Sequence, residues 1–167
     1  MKKITLMIII CLTLSVGCTS IKVKPFTAEP KIDTICVCNN PKVSVDFLQS
    51  LKAEFLNYGI ILRTFKNTGF EDEYPKEIVE QCEYIMTYTA KYTWDLAVYC
   101  WYFELHLYQG EVEVANAVFE LEGMGGFDMT KFNPTETKIR KLLKEFLVNY
   151  PYVIEPPKSS IADQKDS

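Results

Sequence analysis

Apolar positions follow two rhythms along this chain, and each marks its own kind of element. From Val45 to Tyr58 the residues Leu48, Leu51, Phe55 and Tyr58 recur at intervals of three and four, and Gly59 stands where a helix stops. Ser44 fits the cap of that helix. A second helical stripe, Ile139, Leu142, Leu143, Phe146 and Leu147, runs from Thr135 to about Asn149. Ahead of it, Asn133-Pro134-Thr135-Glu136 offers a cap, a proline at the first helical position and an acid at the third.

The other rhythm is alternation. Asp33 to Cys38 is a β-branched run closed by Asn39-Asn40-Pro41, and Ile60 to Phe65 is a second strand after the turn at Gly59. Tyr84 to Ala90 alternates, Trp94-Asp95 interrupts it, and Val98 to Tyr108 alternates again. Gln109-Gly110-Glu111 makes a hairpin turn, from which Val112 to Leu121 returns. Strict alternation puts Tyr99, Trp101, Phe103, Leu105 and Leu107 on one face, with Cys100, Tyr102, Glu104, His106 and Tyr108 opposite. On the returning strand it groups Glu113 with Ala115, Ala117, Phe119 and Leu121.

The order β-α-β-β-β-β-α predicts an α+β fold, a two-layer α/β sandwich whose mixed sheet of about five strands carries both helices on one face. The other face is then open to the outside. Tyr102, Glu104, His106 and Tyr108, flanked by Asn116 and Glu120, make that face amphipathic and mark it as the expected contact surface.

The flanks of this domain, 34–150, have a different composition. Met1-Lys2-Lys3 precedes an apolar run from Ile4 to Val16 and the small residue Gly17, which is the order of a secretory signal over 1–17. The run of about 13 residues falls short of the roughly 20 that span a bilayer. Residues 18–33, with Lys22, Lys24, Pro25, Pro30 and Lys31, show neither rhythm and read as a flexible tether reaching roughly 20 Å. Residues 66–81 are a polar connection with room for one helical turn near Pro75–Val79, and 151–167 read as a disordered polar tail.

Charge narrows the partners. Without Lys2 and Lys3 the chain holds 16 basic against 22 acidic residues, a net charge of about −6, and nucleic-acid binding needs the opposite sign. Export also sets the fate of the cysteines, because disulfides persist outside the cytoplasm. Setting aside Cys11 and Cys18 leaves Cys36, Cys38, Cys82 and Cys100. Cys36 and Cys38 lie two apart on a strand and do not bridge each other, so their partners come from Cys82 and Cys100, in either arrangement. A zinc site is disfavoured, since Cys-x-Cys lacks the usual ligand separation.

Ser15-Val16-Gly17-Cys18 resembles the lipobox of bacterial lipoproteins, which implies a diacylglycerol thioether on Cys18 and cleavage just before it. Resemblance to Gram-negative lipoproteins, with Thr19 rather than Asp after the cysteine, implies sorting to the outer membrane with the domain facing the periplasm. Residues 35–147 resemble the Sbal-type family of small uncharacterised bacterial lipoproteins. The residues that carry this are Ile35-Cys36 with Asn40-Pro41, the helix ending at Gly59, Cys82-x-Tyr84 with Thr87-Tyr88-Thr89-Ala90, Trp94-Asp95, Gly125-Gly126-Phe127, Lys131-Phe132 and Thr137-Lys138. The resemblance implies a Cys36–Cys82 pair, leaving Cys38 and Cys100 for a second bridge. The element order also looks like the amino-terminal domain of TolB, a likeness of fold alone.

Candidate chemistry is sparse. His106 is the single histidine, which removes paired-histidine metal sites and zinc-protease helices. Gly123-Met124-Gly125-Gly126 lacks the Lys-Ser/Thr of a phosphate loop and reads as a connection needing positive φ. Trp94-Asp95 reads as a corner, with the indole buried and the carboxylate capping a turn. No catalytic residue, cofactor or metal is expected. The expectation is a non-enzymatic envelope module, anchored through lipid on Cys18, whose open face binds an envelope protein or another copy of itself; the alternative is a small hydrolase or ligand-binding lipoprotein using Glu104 and His106.

Overall fold

The computed structural model describes residues 19–27, 31–65, 81–125 and 129–150. Residues 1–18, where the signal segment and Cys18 are expected, most of the 66–81 connection and the expected tail 151–167 lie outside them. The elements are β1 (Thr19–Lys24), β2 (Thr34–Cys38), α1 (Val45–Leu56), β3 (Ile61–Phe65), β4 (Tyr84–Asp95), β5 (Ala97–Gln109), β6 (Val112–Leu121) and α2 (Thr135–Phe146). Two short 3-10 turns, Glu122–Gly125 and Met129–Phe132, join β6 to α2.

The strands form one mixed sheet in the order β1-β6-β5-β4-β2-β3. β2 runs parallel to both β3 and β4, and every other neighbouring pair is antiparallel. The fold is α+β, with both helices packed together over one face of the sheet.

Local chemistry explains the helices. The Ser44 hydroxyl accepts the Phe47 N–H at 3.3 Å, satisfying one of the donors that a helix start leaves orphaned. Phe47, Leu48, Leu51 and Phe55 then form the buried stripe, and the chain leaves the helix through Gly59 at φ +74°. α2 starts one residue later than the Asn133 cap predicts: Pro134 holds the cap position and contributes no side-chain hydrogen bond. Its stripe of Ile139, Leu142, Leu143 and Phe146 is fully buried. Between the helices, Arg140 forks onto the buried Glu54 carboxylate at 2.7 and 3.0 Å, and Ser50 donates to Glu136 at 2.9 Å.

Three expectations about strand pairing change. The first is the tether, because Thr19–Lys24 is a strand that pairs antiparallel with β6, from Thr19 opposite Leu121 to Lys24 opposite Asn116. Ile21 and Val23 pack on the core while Lys22 and Lys24 face solvent, an edge-strand alternation hidden by its lysines. Phe26 then anchors the chain, buried against Tyr84 and Phe146. The sheet therefore has six strands.

The other two changes are β-bulges. Lys91 pairs with Tyr102 and Tyr92 with Cys100, so Trp101 is the extra residue. A bulge resets the alternation. Cys100 accordingly joins Phe103 in the core, and Trp101 lies beside Tyr102 with ring centroids 5.7 Å apart. On β6, Leu107 pairs with Ala115 and Tyr108 with Glu113, leaving Val114 as the extra residue and turning Glu113 toward His106.

Candidate functional site

The face without helices gathers the residues predicted for it. Tyr102, Glu104, His106 and Tyr108 project from β5, with Glu113, Asn116 and Glu120 beside them on β6. The Tyr102 hydroxyl donates to Glu104. Burial, and then the Glu104 carboxylate as hydrogen-bond acceptor and as charge, push the phenol up to about 12. His106 places Nδ1 2.9 Å from Glu113 and Nε2 3.8 Å from Glu104, and its ring stacks on Tyr108 at 6.4 Å. Asn116 donates to the other Glu113 oxygen, and this bond, followed by that from His106, holds Glu113 below the usual carboxylate range. Lys91 lies over the Tyr102 ring at 4.7 Å.

Beside this network lies an open depression of about 800 Å³, with Cys38, Asn40, Thr89, Lys91, Glu104 and His106 among its walls. It lies where β2 parts early from β4 while staying paired with β3. β2 pairs with β4 only at Cys36–Ile85 and Val37–Met86, after which Asn40 takes over, its side-chain amide donating to the Tyr88 carbonyl at 3.0 Å.

The depression offers recognition chemistry more readily than a nucleophile. Both His106 nitrogens face carboxylates, and burial pushes the Cys38 thiol up, so it stays protonated at neutral pH. Among the described residues, no group of three His, Cys, Asp or Glu side chains could hold a metal ion. No helix among them is long and apolar enough to cross a membrane.

Cys36 and Cys82 form a disulfide, with Cα atoms 6.0 Å apart, and pack with Ile85, Cys38 and Phe65 into a small apolar cluster of their own. The second bridge does not form; Cys38 and Cys100 are free. Cys38 belongs to the cluster around the disulfide, whereas Cys100, displaced by the Trp101 bulge, sits in the main core under the helices. Burial pushes its thiol up to about 11 even though the Lys138 ammonium acts in the opposite direction.

Trp94-Asp95 is not a buried corner. β4 runs on through both residues, Asp95 pairs with Ala97, and Leu96 alone makes the turn at φ +60°. The indole is exposed, and the Asp95 carboxylate is ion-paired with Lys131, whose side chain is buried against Tyr99 and Phe132. Sequence reasoning missed this ammonium and that of Lys138, which donates to the Cys100 carbonyl at 2.8 Å. Both stand in pairs that carry the family resemblance, Lys131-Phe132 and Thr137-Lys138, which assigns them no role; Lys138 also directly precedes Ile139, the first residue of the buried stripe.

No family model matches the chain, and no curated protein matches it. Among solved structures, the chain is similar in fold to a PelC dodecamer from Paraburkholderia phytofirmans, with a TM-score of 0.51 and 11% identity over 79% of this chain and 97% of that one.

Proposed function

We propose that this protein is a lipid-anchored envelope lipoprotein, a non-enzymatic assembly module whose open sheet face contacts another copy of the chain. The observation that carries this reading is the asymmetry of the sheet, since two helices cover one face while aromatic and carboxylate side chains lie half-buried on the other. The lipobox-like Ser15-Val16-Gly17-Cys18 and the Sbal-type resemblance support anchoring and export, and the outer membrane facing the periplasm is the expected place. The similar structure is described as a dodecamer, which makes self-association the form of assembly to test first.

The test is the mass of the native assembly, measured on protein extracted from membranes with its lipid attached. An oligomer that dissociates when Tyr102 and Tyr108 are both changed to glutamate supports the reading. A protein that is monomeric at all concentrations, or an oligomer indifferent to these changes, contradicts it.

A further inference from the structure

We propose that the tip of the β4–β5 hairpin, carrying Trp94, Leu96 and Val98, docks into the surface of the bilayer that holds the lipid on Cys18. This rests on the lipoprotein reading above. Three observations about the tip point the same way.

The first is its chemistry. Trp94, Leu96 and Val98 are 72%, 80% and 68% exposed, among the most exposed large apolar side chains of the described residues. Trp94 and Val98 are direct cross-strand partners, so they form one patch. Each lies two positions beyond Tyr92 or Cys100 on its strand, past the point where Tyr92 meets the Ser44 cap of α1. Leu96 occupies a left-handed position where glycine or asparagine is the ordinary choice. A bulky apolar residue held there in water is disfavoured twice, by its backbone and by its exposure. Tryptophan with aliphatic neighbours is the composition that settles at a membrane interface.

The second is charge. Asp95 is the single ionisable acid between Tyr92 and Val98, and Lys131 pairs with it. The tip therefore brings no unpaired carboxylate toward anionic headgroups.

The third is where the anchor attaches. Thr19 pairs with Leu121, and β6 in turn places Glu120 opposite Tyr102. The start of β1 thus lies at the same end of the sheet as the hairpin, with Cys18 one residue before it. Leu96 lies five positions before Trp101, one of them spent on the bulge, so the tip projects roughly 14 Å beyond that level at about 3.4 Å per residue. Interfacial side chains enter about 5–10 Å into the headgroup and acyl boundary, a depth that keeps the start of β1 close to the headgroups. Because β1 begins at Thr19, no long tether separates the domain from the lipid.

The chain has two tryptophans, Trp94 and Trp101, so the Trp101→Phe variant reports on the tip alone. The full-length precursor is processed in cells, extracted, and reconstituted into phosphatidylethanolamine–phosphatidylglycerol vesicles with brominated acyl chains. The expected result is co-flotation with the vesicles, a blue-shifted Trp94 emission that loses most of its intensity to lipid bromine, and recovery of that intensity in Leu96→Glu, which still co-floats. Co-flotation with Trp94 unquenched overturns the docking and leaves the anchor standing. Blue-shifted but unquenched emission assigns the tip to a protein contact and overturns it too. Failure to co-float overturns the anchor and the docking together.

Discussion

The two faces of the sheet use the same strands for opposite ends. Toward the helices, Phe103, Leu105 and Leu107 of β5 meet Phe47 and the α2 stripe, and Phe103 lies between Phe47 at 5.5 Å and Phe119 at 4.9 Å. On the other side Tyr102, Glu104 and His106, one residue away each time, spend their contacts on one another and on Glu113. The first face is held by removal of apolar area from water, at about 25 cal/mol per Å². The second is held by charge-assisted hydrogen bonds that solvent partly replaces. Most of the stability therefore resides on the helix-covered side.

The sharpest way to break that comparison is to truncate one side chain on each face. Phe103→Ala should cost about 3–5 kcal/mol, as for other buried phenylalanines, while Tyr108→Ala, half-buried on the open face, should change stability by less than about 1 kcal/mol. Urea unfolding of the two variants decides it. Comparable losses would mean that the open face is structural.

The disulfide is an exception on the open side, because it joins β2 to the residues leading into β4. Its sequence separation of 46 corresponds to about 4 kcal/mol in a chain-entropy account. The Cys36→Ala, Cys82→Ala double variant should lower the denaturant midpoint accordingly, and a reducing agent should do the same to the native protein. An unchanged midpoint would show that the apolar cluster of Ile85 and Phe65 suffices.

Alkaline titration separates the faces again. Cys100 is buried under the helices with its thiol pushed up to about 11 from 9.0. Between those values the unfolded chain has lost a proton that the folded chain retains, so stability should fall as pH rises from about 9 to 11, by roughly 2 kcal/mol. Cys100→Ala should remove that part of the slope. On the open face the sign reverses, since Glu113 is held below its ordinary 4.5. Its contribution is present above that value and is lost as pH falls through the depressed one. Glu113→Gln should erase this small acid dependence, read as the difference in melting temperature between neutral and acid pH. A large effect would place more of the fold's stability on the open face than its exposure allows.

Much of this architecture is legible in the sequence because periodicity reports burial directly. The Leu48-Leu51-Phe55 and Ile139-Leu142-Phe146 stripes, the hairpin at Gly110 and the grouping of Tyr102, Glu104, His106 and Tyr108 all follow from it. Two kinds of error remain, and both have a physical source. A bulge adds one residue without any composition of its own, so strict alternation puts Cys100 on the open face, where the structure buries it in the core, and mistakes the side of Glu113. An edge strand needs few apolar residues, so Ile21 and Val23 among lysines look like a tether. The hairpin tip is missed for a different reason: Trp94-Asp95 reads as a break in the alternation, whereas β4 runs on through both residues and leaves Trp94, Leu96 and Val98 exposed.

The proposed anchoring joins the open sheet face and the apolar tip beside the start of β1 in one account, with the chain held at a membrane by its own amino terminus. Intact-mass analysis of the protein extracted from membranes tests that most directly. The account predicts a mature chain that begins at Cys18 and carries the mass of a diacylglycerol thioether. A mature chain that starts elsewhere, or one that starts at Cys18 with no lipid mass, would contradict it.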